Sequence, residues 1–224
     1  MKTMTFISAD EAVRGVRSGD HIHLSSIASV PHVLIDALCR RAGELRDLHF
    51  HHFHTEGPAP YGDKAYEGVF FDQGFFVGPN VRKSVQEGYA DYLPAHLSES
   101  QAMYRTGALP CDVAMVQVSE PVDGMVSLGT SVDCSVAALE VARLKLAVVN
   151  PHVPFAYGDL IPVERFDALV RDDTPLITKD YVEPTAIDRL IGRNCSVLVP
   201  DGACLQMGIG SLPNAVCSEL MDHQ

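Results

Sequence analysis

The sequence has no pair of cysteines at C-x-x-C spacing, no apolar run long enough to cross a bilayer, and few cations. Its 17 lysines and arginines stand against 29 aspartates and glutamates, which gives a net charge of −12. Because binding to a phosphate backbone depends on lysines and arginines that displace counterions, nucleic acid is not an expected partner. The polar start of the chain is not a signal core, and no membrane association is expected. The sequence therefore predicts a soluble, cytoplasmic protein.

Six cysteines are present, but their spacing does not form the knuckle that a zinc site usually needs. Most of them have apolar neighbours, and free cysteine is among the most buried residue types. We therefore interpret them as reduced, small apolar side chains, and no metal site is predicted. The cysteines are Cys39, Cys111, Cys134, Cys195, Cys204 and Cys217.

A chain of 224 residues with 46% hydrophobic residues can bury a sizeable core. The middle of the chain gives the clearest fold signal. Asp112–Ser119 is an apolar run typical of a strand covered on both faces, a helix capped by Asp133 is predicted through Leu144, and Leu146–Asn150 is a second buried strand. This is a βαβ unit, for which a right-handed crossover is expected.

The same alternation of strands and helices is predicted on either side. A capping box at Ser8–Glu11 opens a short helix that Gly19 ends. Without low-complexity segments, repeats or an evident linker, residues 1–224 are expected to form one α/β domain with an open, mostly parallel sheet flanked by helices. The other predicted elements are strands at Ile22–Ser25, Leu48–His54, Ser196–Val199 and Ala203–Met207, and helices from Pro31 toward Leu45, near Ala186–Ile191 and from about Pro213.

A pair of glycines near the end of the chain is the sharpest local motif. Gly208 and Gly210 lie between a predicted strand and a predicted helix, where a tight turn and free helix amides favour an anion. Pro213 replaces the third glycine of G-x-G-x-x-G, and the Lys-Ser/Thr pair of a P-loop is missing, so neither nucleotide fingerprint is met. By itself the pair is compatible with an anion site or with a simple turn.

Two other segments are weaker candidates. Arg82 follows a turn at Gly78. It either binds a carboxylate or phosphate through two hydrogen bonds, or it is a solvated surface charge. Ser127–Asp133 follows a buried strand, where open parallel sheets bind ligands, and is equally compatible with a loop that ends in an aspartate cap.

Four histidines cluster in one predicted strand, but they do not form an obvious metal site. Strand alternation sends His52 and His54 to one face and His49 and His51 to the other. A two-histidine face would need a carboxylate such as Glu56, and the alternative is that these side chains line a strand end or a pocket wall.

Several segments, taken together, form a pattern that is more specific than any one of them. They are Thr55–Gly57, Phe76–Arg82, Asp112–Ser119 with Gly129 after it, Val149–Pro151 with Gly158–Asp159, and Asp201–Gly210. In their order and rough spacing they resemble the acetyl-CoA hydrolase/transferase family, which includes the 4-hydroxybutyrate CoA-transferases. The likeness extends over essentially the whole chain.

The resemblance implies a two-domain α/β enzyme that binds acyl-CoA in the cleft between its halves and uses a glutamate nucleophile. In the family that glutamate follows the glycine loop and its helix, so it is expected beyond residue 224, in a carboxy-terminal catalytic domain missing from this chain. Neither Glu56 nor Glu219 matches its position, and no catalytic residue is assigned. The coenzyme-binding loop of the family matches Gly208, Ile209, Gly210, Ser211 and Leu212.

Two departures from the family concern the acyl substrate. Many relatives have Pro-Arg-Thr where this chain has Pro154-Phe155-Ala156, and Ser-Pro-Pro where it has Ser119-Glu120-Pro121. Losing an arginine and gaining a phenylalanine predicts a less polar acyl pocket.

The function implied by the resemblance is transfer of coenzyme A between a short-chain acyl-CoA and a carboxylate of the 4-hydroxybutyrate/acetate type, or hydrolysis of acetyl-CoA, through a glutamyl-CoA intermediate. Coenzyme A is then a substrate, with no permanently bound cofactor, and the fragment alone is expected to be inactive and to form a homo-oligomer. Two alternatives stay open: a stand-alone CoA-binding module or one subunit of a split transferase, and a sugar-phosphate isomerase or deaminase on a similar sheet.

Overall fold

Nine strands and seven helices make up the computed structural model, which describes residues 5–224; the first four residues of the predicted domain lie outside it. The strands are β1 (His21–Leu24), β2 (Leu48–His52), β3 (Phe70–Gly74), β4 (Ala90–Tyr92), β5 (Val113–Val118), β6 (Met125–Ser127), β7 (Leu144–Val149), β8 (Leu160–Pro162) and β9 (Ala168–Arg171). The helices are α1 (Ala9–Ala12), α2 (His32–Arg40), α3 (Arg82–Glu87), α4 (Leu97–Thr106), α5 (Ser135–Val141), α6 (Ala186–Ser196) and α7 (Ser211–Glu219).

Seven of the strands form one sheet in the order β4-β3-β2-β1-β5-β7-β9. Every pairing in this sheet is parallel, and β6 with β8 forms a separate antiparallel ribbon. The predicted fold, an open and mostly parallel α/β sheet flanked by helices, is confirmed. The predicted βαβ unit corresponds to β5, α5 and β7. Its two strands pair in parallel, from Val113 with Leu144 to Val118 with Val149.

The core lies on both faces of the sheet, because the central strands β5 and β7 are mostly apolar. All six residues of β5 are buried, and their side chains alternate between two clusters. Met115 packs with Leu24 and Leu34 on one face, whereas Val116 packs with Leu139 on the other. This two-sided burial is what the apolar runs predict.

The chain divides into two compact units, Met1–Ile177 and Thr178–Gln224. The first contains the whole sheet. The second consists of α6 and α7, whose backbones approach closely because Gly192 has no side chain: a Cβ there would lie 2.9 Å from the carbonyl oxygen of Ala215. The expectation of a single domain over residues 1–224 stays a prediction. Among the described residues, no helix has the length and apolar character needed to cross a bilayer.

Three predicted elements are wrong in type or extent. The predicted strand Ser196–Val199 is not formed, because Ser196 is the last residue of α6 and a turn follows it. The predicted strand Ala203–Met207 is not formed either. A strand needs ladder hydrogen bonds to a neighbour, and residues 178–224 contain no other strand to supply them. The helix expected to run through Leu144 ends at Val141, because Leu144 already pairs in β7. The capping box at Ser8 and Glu11 is confirmed, although the short helix it opens stops well before Gly19.

Candidate functional site

The sheet changes winding direction next to β1. From β1 the chain adds β2, β3 and β4 on one side, and it then returns to place β5 and β7 on the other. The loops after β1 and β5 therefore diverge at the carboxyl edge, which is where open α/β sheets form a ligand crevice. Polar residues follow the strands at this edge, including Ser25 after β1, Ser119 after β5 and Asn150 after β7.

Buried hydrogen bonds hold this edge in place. Ser25 Oγ donates to the carbonyl oxygen of Ser29 at 2.5 Å and accepts from the backbone N–H of Gln117 at 3.1 Å, so it joins the ends of β1 and β5. The hydroxyls of Ser29 and Thr130 lie 2.9 Å apart. Since these serines are fully buried and paired, the loop after β1 is fixed rather than adaptable.

Ile27 lies in this loop in a strained conformation. Its φ of 55° is in the left-handed region, which β-branched residues rarely adopt. The conformation is held by its backbone N–H, which donates to the carbonyl oxygen of His54 at 2.6 Å, and its side chain is 48% exposed. Such strain persists where surrounding contacts impose it, often at ligand sites.

A carboxylate and an imidazole meet beside Ile27. His54 Nε2 lies 2.5 Å from Glu56 Oε1, with both side chains mostly buried. The ring of Phe76 packs edge-on against His54, with centroids 5.2 Å apart, and is 54% exposed. The edge thus presents the partly exposed apolar side chains of Ile27 and Phe76, and Phe76 packs against the imidazole of the pair.

A cavity of about 370 Å³ lies at the winding change, behind the loop that carries Glu56. Its charged and polar lining comes from His32, Asp36, Gln117, Asp172 and Thr174. Burial lowers the pKa of His32 despite the nearby carboxylates, and its ring is hydrogen-bonded to the backbone of Glu56. The volume is at the lower end of the range for small-molecule sites.

A second cavity, of about 390 Å³, lies on the other side of Pro58. Lys64 and Lys83 line it, together with Asn80. Lys64 lies over the ring of Tyr89, with Nζ 5.2 Å from the centroid. Arg82, the predicted anion fork, is exposed at the first position of α3 and is not among the residues that line this cavity.

The predicted coenzyme loop lies in the second unit. Gly208 follows an extended segment, Gly210 has φ 122° and ψ 177°, and Ser211 is the first residue of the nine-residue helix α7. Ile209 is 99% exposed. The local geometry is that of a glycine turn leading into a helix start, as the motif predicts, and the binding role of Gly208, Ile209, Gly210, Ser211 and Leu212 stays a prediction.

The histidine prediction is confirmed in its geometry. His52 pairs with Asp72 at 2.7 Å and His54 with Glu56, whereas on the other face His51 Nε2 lies 2.9 Å from His21 Nδ1. The four strand histidines do not converge. Sequence reasoning missed a different group, His23 with Asp133 and Cys134, whose ligand atoms lie within 4.8 Å of one another. No local signal could have found it, because β1 and the start of α5 are far apart in the chain.

An open parallel sheet with a polar, partly strained carboxyl edge defines a ligand-binding α/β protein. The chain belongs to the acetyl-CoA hydrolase/transferase family: residues 3–178 match the family's N-terminal domain. This match ends at the boundary between the two units, after Ile177.

Individual relatives match nearly the whole chain. It is 35% identical over 97% of its length to a succinyl-CoA:acetate/propanoyl-CoA:succinate CoA transferase of Fasciola hepatica, covering 46% of that protein. It is 33% identical over 94% of its length to the 4-hydroxybutyrate coenzyme A transferase of Clostridium kluyveri, covering 49% of it. The chain thus spans about half the length of the curated relatives it matches.

Solved structures agree with this assignment. The fold superimposes on RipA from Yersinia pestis with a TM-score of 0.90 and 30% identity, over 97% of this chain and 54% of RipA. A 4-hydroxybutyrate CoA-transferase from Porphyromonas gingivalis gives a TM-score of 0.79 and 29% identity, over 98% of this chain and 52% of that protein.

Proposed function

We propose that this chain is the amino-terminal part of an enzyme that transfers coenzyme A between a short-chain acyl-CoA and a carboxylate of the 4-hydroxybutyrate/acetate type. The observation that carries the proposal is the match, over 94–97% of the chain, to relatives named as CoA-transferases for succinate, acetate, propanoate and 4-hydroxybutyrate. Acyl-CoA and a small carboxylate are then its substrates, and water in place of the acceptor would make it a hydrolase.

The proposed reaction uses a glutamate that lies beyond residue 224. Its carboxylate oxygen bonds to the thioester carbon, the carbon–sulfur bond breaks, and the CoA thiolate leaves an acyl-glutamyl anhydride. The thiolate then attacks the glutamyl carbonyl and releases the first carboxylate, which leaves a glutamyl-CoA thioester. A second carboxylate takes up the CoA by the reverse steps, so one hard exchange becomes several easier ones.

Glu219 and Glu56 are poor candidates for that nucleophile. Glu219 is the last residue of α7 and lies 3.6 Å from the guanidinium of Arg193. Glu56 is paired with His54 in a mostly buried contact. Each of these carboxylates is stabilised by its partner and is not free to attack a carbonyl. This supports a nucleophile elsewhere.

The loop Gly208–Leu212 is proposed to contact the coenzyme. It is largely exposed, and it leads into α7, a helix long enough for its first amides to direct a partial positive charge outward. Phosphate and oxyanion groups of acyl-CoA are suitable partners for such a helix start. The backbone of Gly210 lies in a region that only glycine adopts freely, so its conformation is part of the site.

The carboxyl edge of the sheet is proposed to face the acyl group. Ile27 and Phe76 are half-exposed apolar side chains there; the ring of Phe76 packs against His54, and the backbone of Ile27 is hydrogen-bonded to that of His54. Phe155 stands where many relatives have arginine and packs edge-on against Tyr157, with centroids 5.7 Å apart. These side chains favour an acyl chain over a second charged group.

The missing partner is proposed to be a carboxy-terminal domain or a separate subunit, and a homo-oligomer is proposed for the complete enzyme. Several large apolar side chains of the second unit are exposed, which supports a covering partner. They are Ile187, Leu190, Val197, Leu198, Ile209 and Met221.

Calorimetric titration with coenzyme A tests the proposal, with the complete gene product and with residues 1–224. We expect micromolar to millimolar binding by the complete protein, weaker binding by residues 1–224, and transfer activity only in the complete protein. Gly210→Ala should weaken binding at least tenfold, because φ 122° is not open to alanine. Gly202→Ala is the matched control, an exposed glycine at φ 75° in the same unit. Equal affinities for the two variants, or no CoA binding by the complete protein, would contradict the assignment.

A further inference from the structure

A buried polar cluster lies between β1 and the start of α5. The imidazole of His23 is fully buried there. Its Nδ1 lies 3.2 Å from Tyr104 Oη and 4.0 Å from Cys134 Sγ, and its Nε2 lies 2.9 Å from Ser135 Oγ. Ser135 Oγ in turn lies 3.2 Å from a carboxylate oxygen of Asp133.

This chain of contacts fixes the tautomer of His23. A carboxylate only accepts hydrogen bonds, so the single hydroxyl proton of Ser135 is donated to Asp133. Ser135 Oγ must therefore accept from His23, which places the imidazole proton on Nε2. The lone pair of Nδ1 is left directed at Tyr104 and Cys134. Ser135 thereby orients the imidazole through its far nitrogen, as the outer hydrogen-bond partner of a metal-ligating histidine usually does.

We propose that His23, Cys134 and Asp133 form a buried binding site for a borderline or soft divalent cation of the zinc or cadmium class. They offer one nitrogen, one sulfur and one carboxylate oxygen within 4.8 Å of one another. Bonds of about 2.0–2.3 Å in a tetrahedral site place ligand atoms about 3.3–3.8 Å apart, so only a small contraction is needed. Nitrogen and sulfur donors select against Mg²⁺ and Ca²⁺.

The binding step balances in charge. The Cys134 thiol releases one proton to solvent as the sulfur–metal bond forms, His23 contributes a lone pair, and Asp133 contributes a carboxylate oxygen. A divalent ion with one thiolate and one carboxylate is neutral overall, which is what a buried site requires. Tyr104 Oη, beside His23 Nδ1, is positioned for the fourth place.

The backbone at Asp133 is held in an unusual conformation that serves such a site. Its φ of 29° is in the left-handed region, and its carbonyl oxygen accepts from Gln101 Nε2 at 3.0 Å. Asp133 and the next residue, Cys134, both keep a ligand atom within 4.8 Å of His23 in this conformation. Strained residues of this kind are concentrated at ligand sites.

The test is a cadmium titration of the whole 224-residue chain in a Cys204→Ser/Cys217→Ser background, which removes the two exposed thiols. Metal analysis after dialysis should give one Cd²⁺ per chain, with thiolate-to-metal charge-transfer absorption. Cys134→Ser and His23→Gln should each abolish this binding, whereas Cys39→Ser, at a partly buried thiol elsewhere, should not. Ser135→Ala should weaken it about 10–100-fold, because the tautomer is no longer fixed.

A second measurement needs no substitution in the core. Cadmium-113 NMR of the same background protein should show a single resonance in the range of mixed sulfur, nitrogen and oxygen ligation. Failure to bind one Cd²⁺ per chain, a resonance typical of oxygen ligands only, or binding that survives Cys134→Ser in a folded protein would each overturn the proposal, and the polar cluster would then be a hydrogen-bonded part of the core.

Discussion

Asn80 and Thr55 are joined through a single amide nitrogen: Asn80 Nδ2 lies 3.0 Å from the carbonyl oxygen of Thr55 and 3.1 Å from its Oγ1. The same nitrogen lies 3.2 Å from the carbonyl oxygen of Gly57. Glu56 is the residue between these two carbonyls, so Asn80 determines how the turn presents it. Gly78 permits this arrangement, because a Cβ there would lie 2.7 Å from Asn80 Oδ1.

Asn80→Ala is expected to lower the free energy of unfolding by about 1–3 kcal/mol, because it leaves carbonyl oxygens of the buried turn without a donor. Urea denaturation measures this change. Gln86→Ala, at an exposed position of α3, is the control and should have little effect. Equal effects of the two substitutions would show that the Asn80 contacts contribute nothing to stability.

Gly129→Ala is expected to be more destabilising than Gly124→Ala. Both glycines have positive φ, 63° and 78° respectively, so both variants incur a left-handed cost of about 1–2 kcal/mol. Only at Gly129 would the new Cβ also overlap the side chain of Val153, which adds about 1–3 kcal/mol. Thermal or urea unfolding distinguishes them, and identical stabilities would refute the steric contribution.

Stability is expected to fall as the pH drops below about 6.5, in part because of His51. Burial first, and then the charges of His21 and His49, lower the pKa of His51 to about 3 in the folded state. The unfolded chain therefore binds one more proton between these two pKa values, and the free energy of unfolding declines by up to about 1.4 kcal/mol per pH unit for this group.

Urea denaturation at pH 7 and at pH 5 tests this linkage. His51→Gln should reduce the loss of stability between the two pH values, whereas His152→Gln, at an exposed position, should leave it unchanged. The other histidines are present in both variants, so the difference isolates His51. An unchanged pH slope in His51→Gln would contradict the expected role of burial.

Phe155→Arg is expected to shift the acyl preference of the complete enzyme toward substrates with a second polar or anionic group. The reason is that an arginine can pair with such a group, whereas phenylalanine favours an aliphatic chain. Ratios of kcat/KM for butyryl-CoA and succinyl-CoA measure the shift. Tyr157→Ser, at the 92% exposed neighbour, is the control for disturbance of this loop. An unchanged ratio in Phe155→Arg would refute the acyl-pocket hypothesis.

Residues 1–224 alone are expected to self-associate through the apolar side chains of the second unit, among them Val197 at 80% and Leu198 at 81% exposure. Sedimentation velocity should show concentration-dependent association that Leu198→Asp reduces. Asn194→Asp introduces the same charge at an exposed polar position of α6 and should not reduce it. A single monomeric species at all concentrations would contradict this expectation.

Local pattern was sufficient to predict four of the seven strands of the sheet, β1, β2, β5 and β7, but it missed β3, β4 and β9. The apolar runs that became β5 and β7 are buried on both faces, and the histidines of β2 alternate as the two-residue period requires. Burial and period are properties of neighbouring residues, so they can be read along the chain. The same reasoning failed for Ser196–Val199 and Ala203–Met207, since β propensity alone does not provide a neighbouring strand.

By itself, the sequence determined an open parallel α/β sheet, the family, and a glycine turn that leads into the helix at Ser211. Only the tertiary structure decided which polar groups meet: His23 and Cys134 are 111 residues apart in the chain, and Asn80 reaches Thr55 from a different loop. These encounters depend on strand order and on how each loop folds over the sheet edge. Hydrogen bonds and metal ligands need atoms within a few ångströms, and that proximity is set by long-range packing, which no local periodicity encodes.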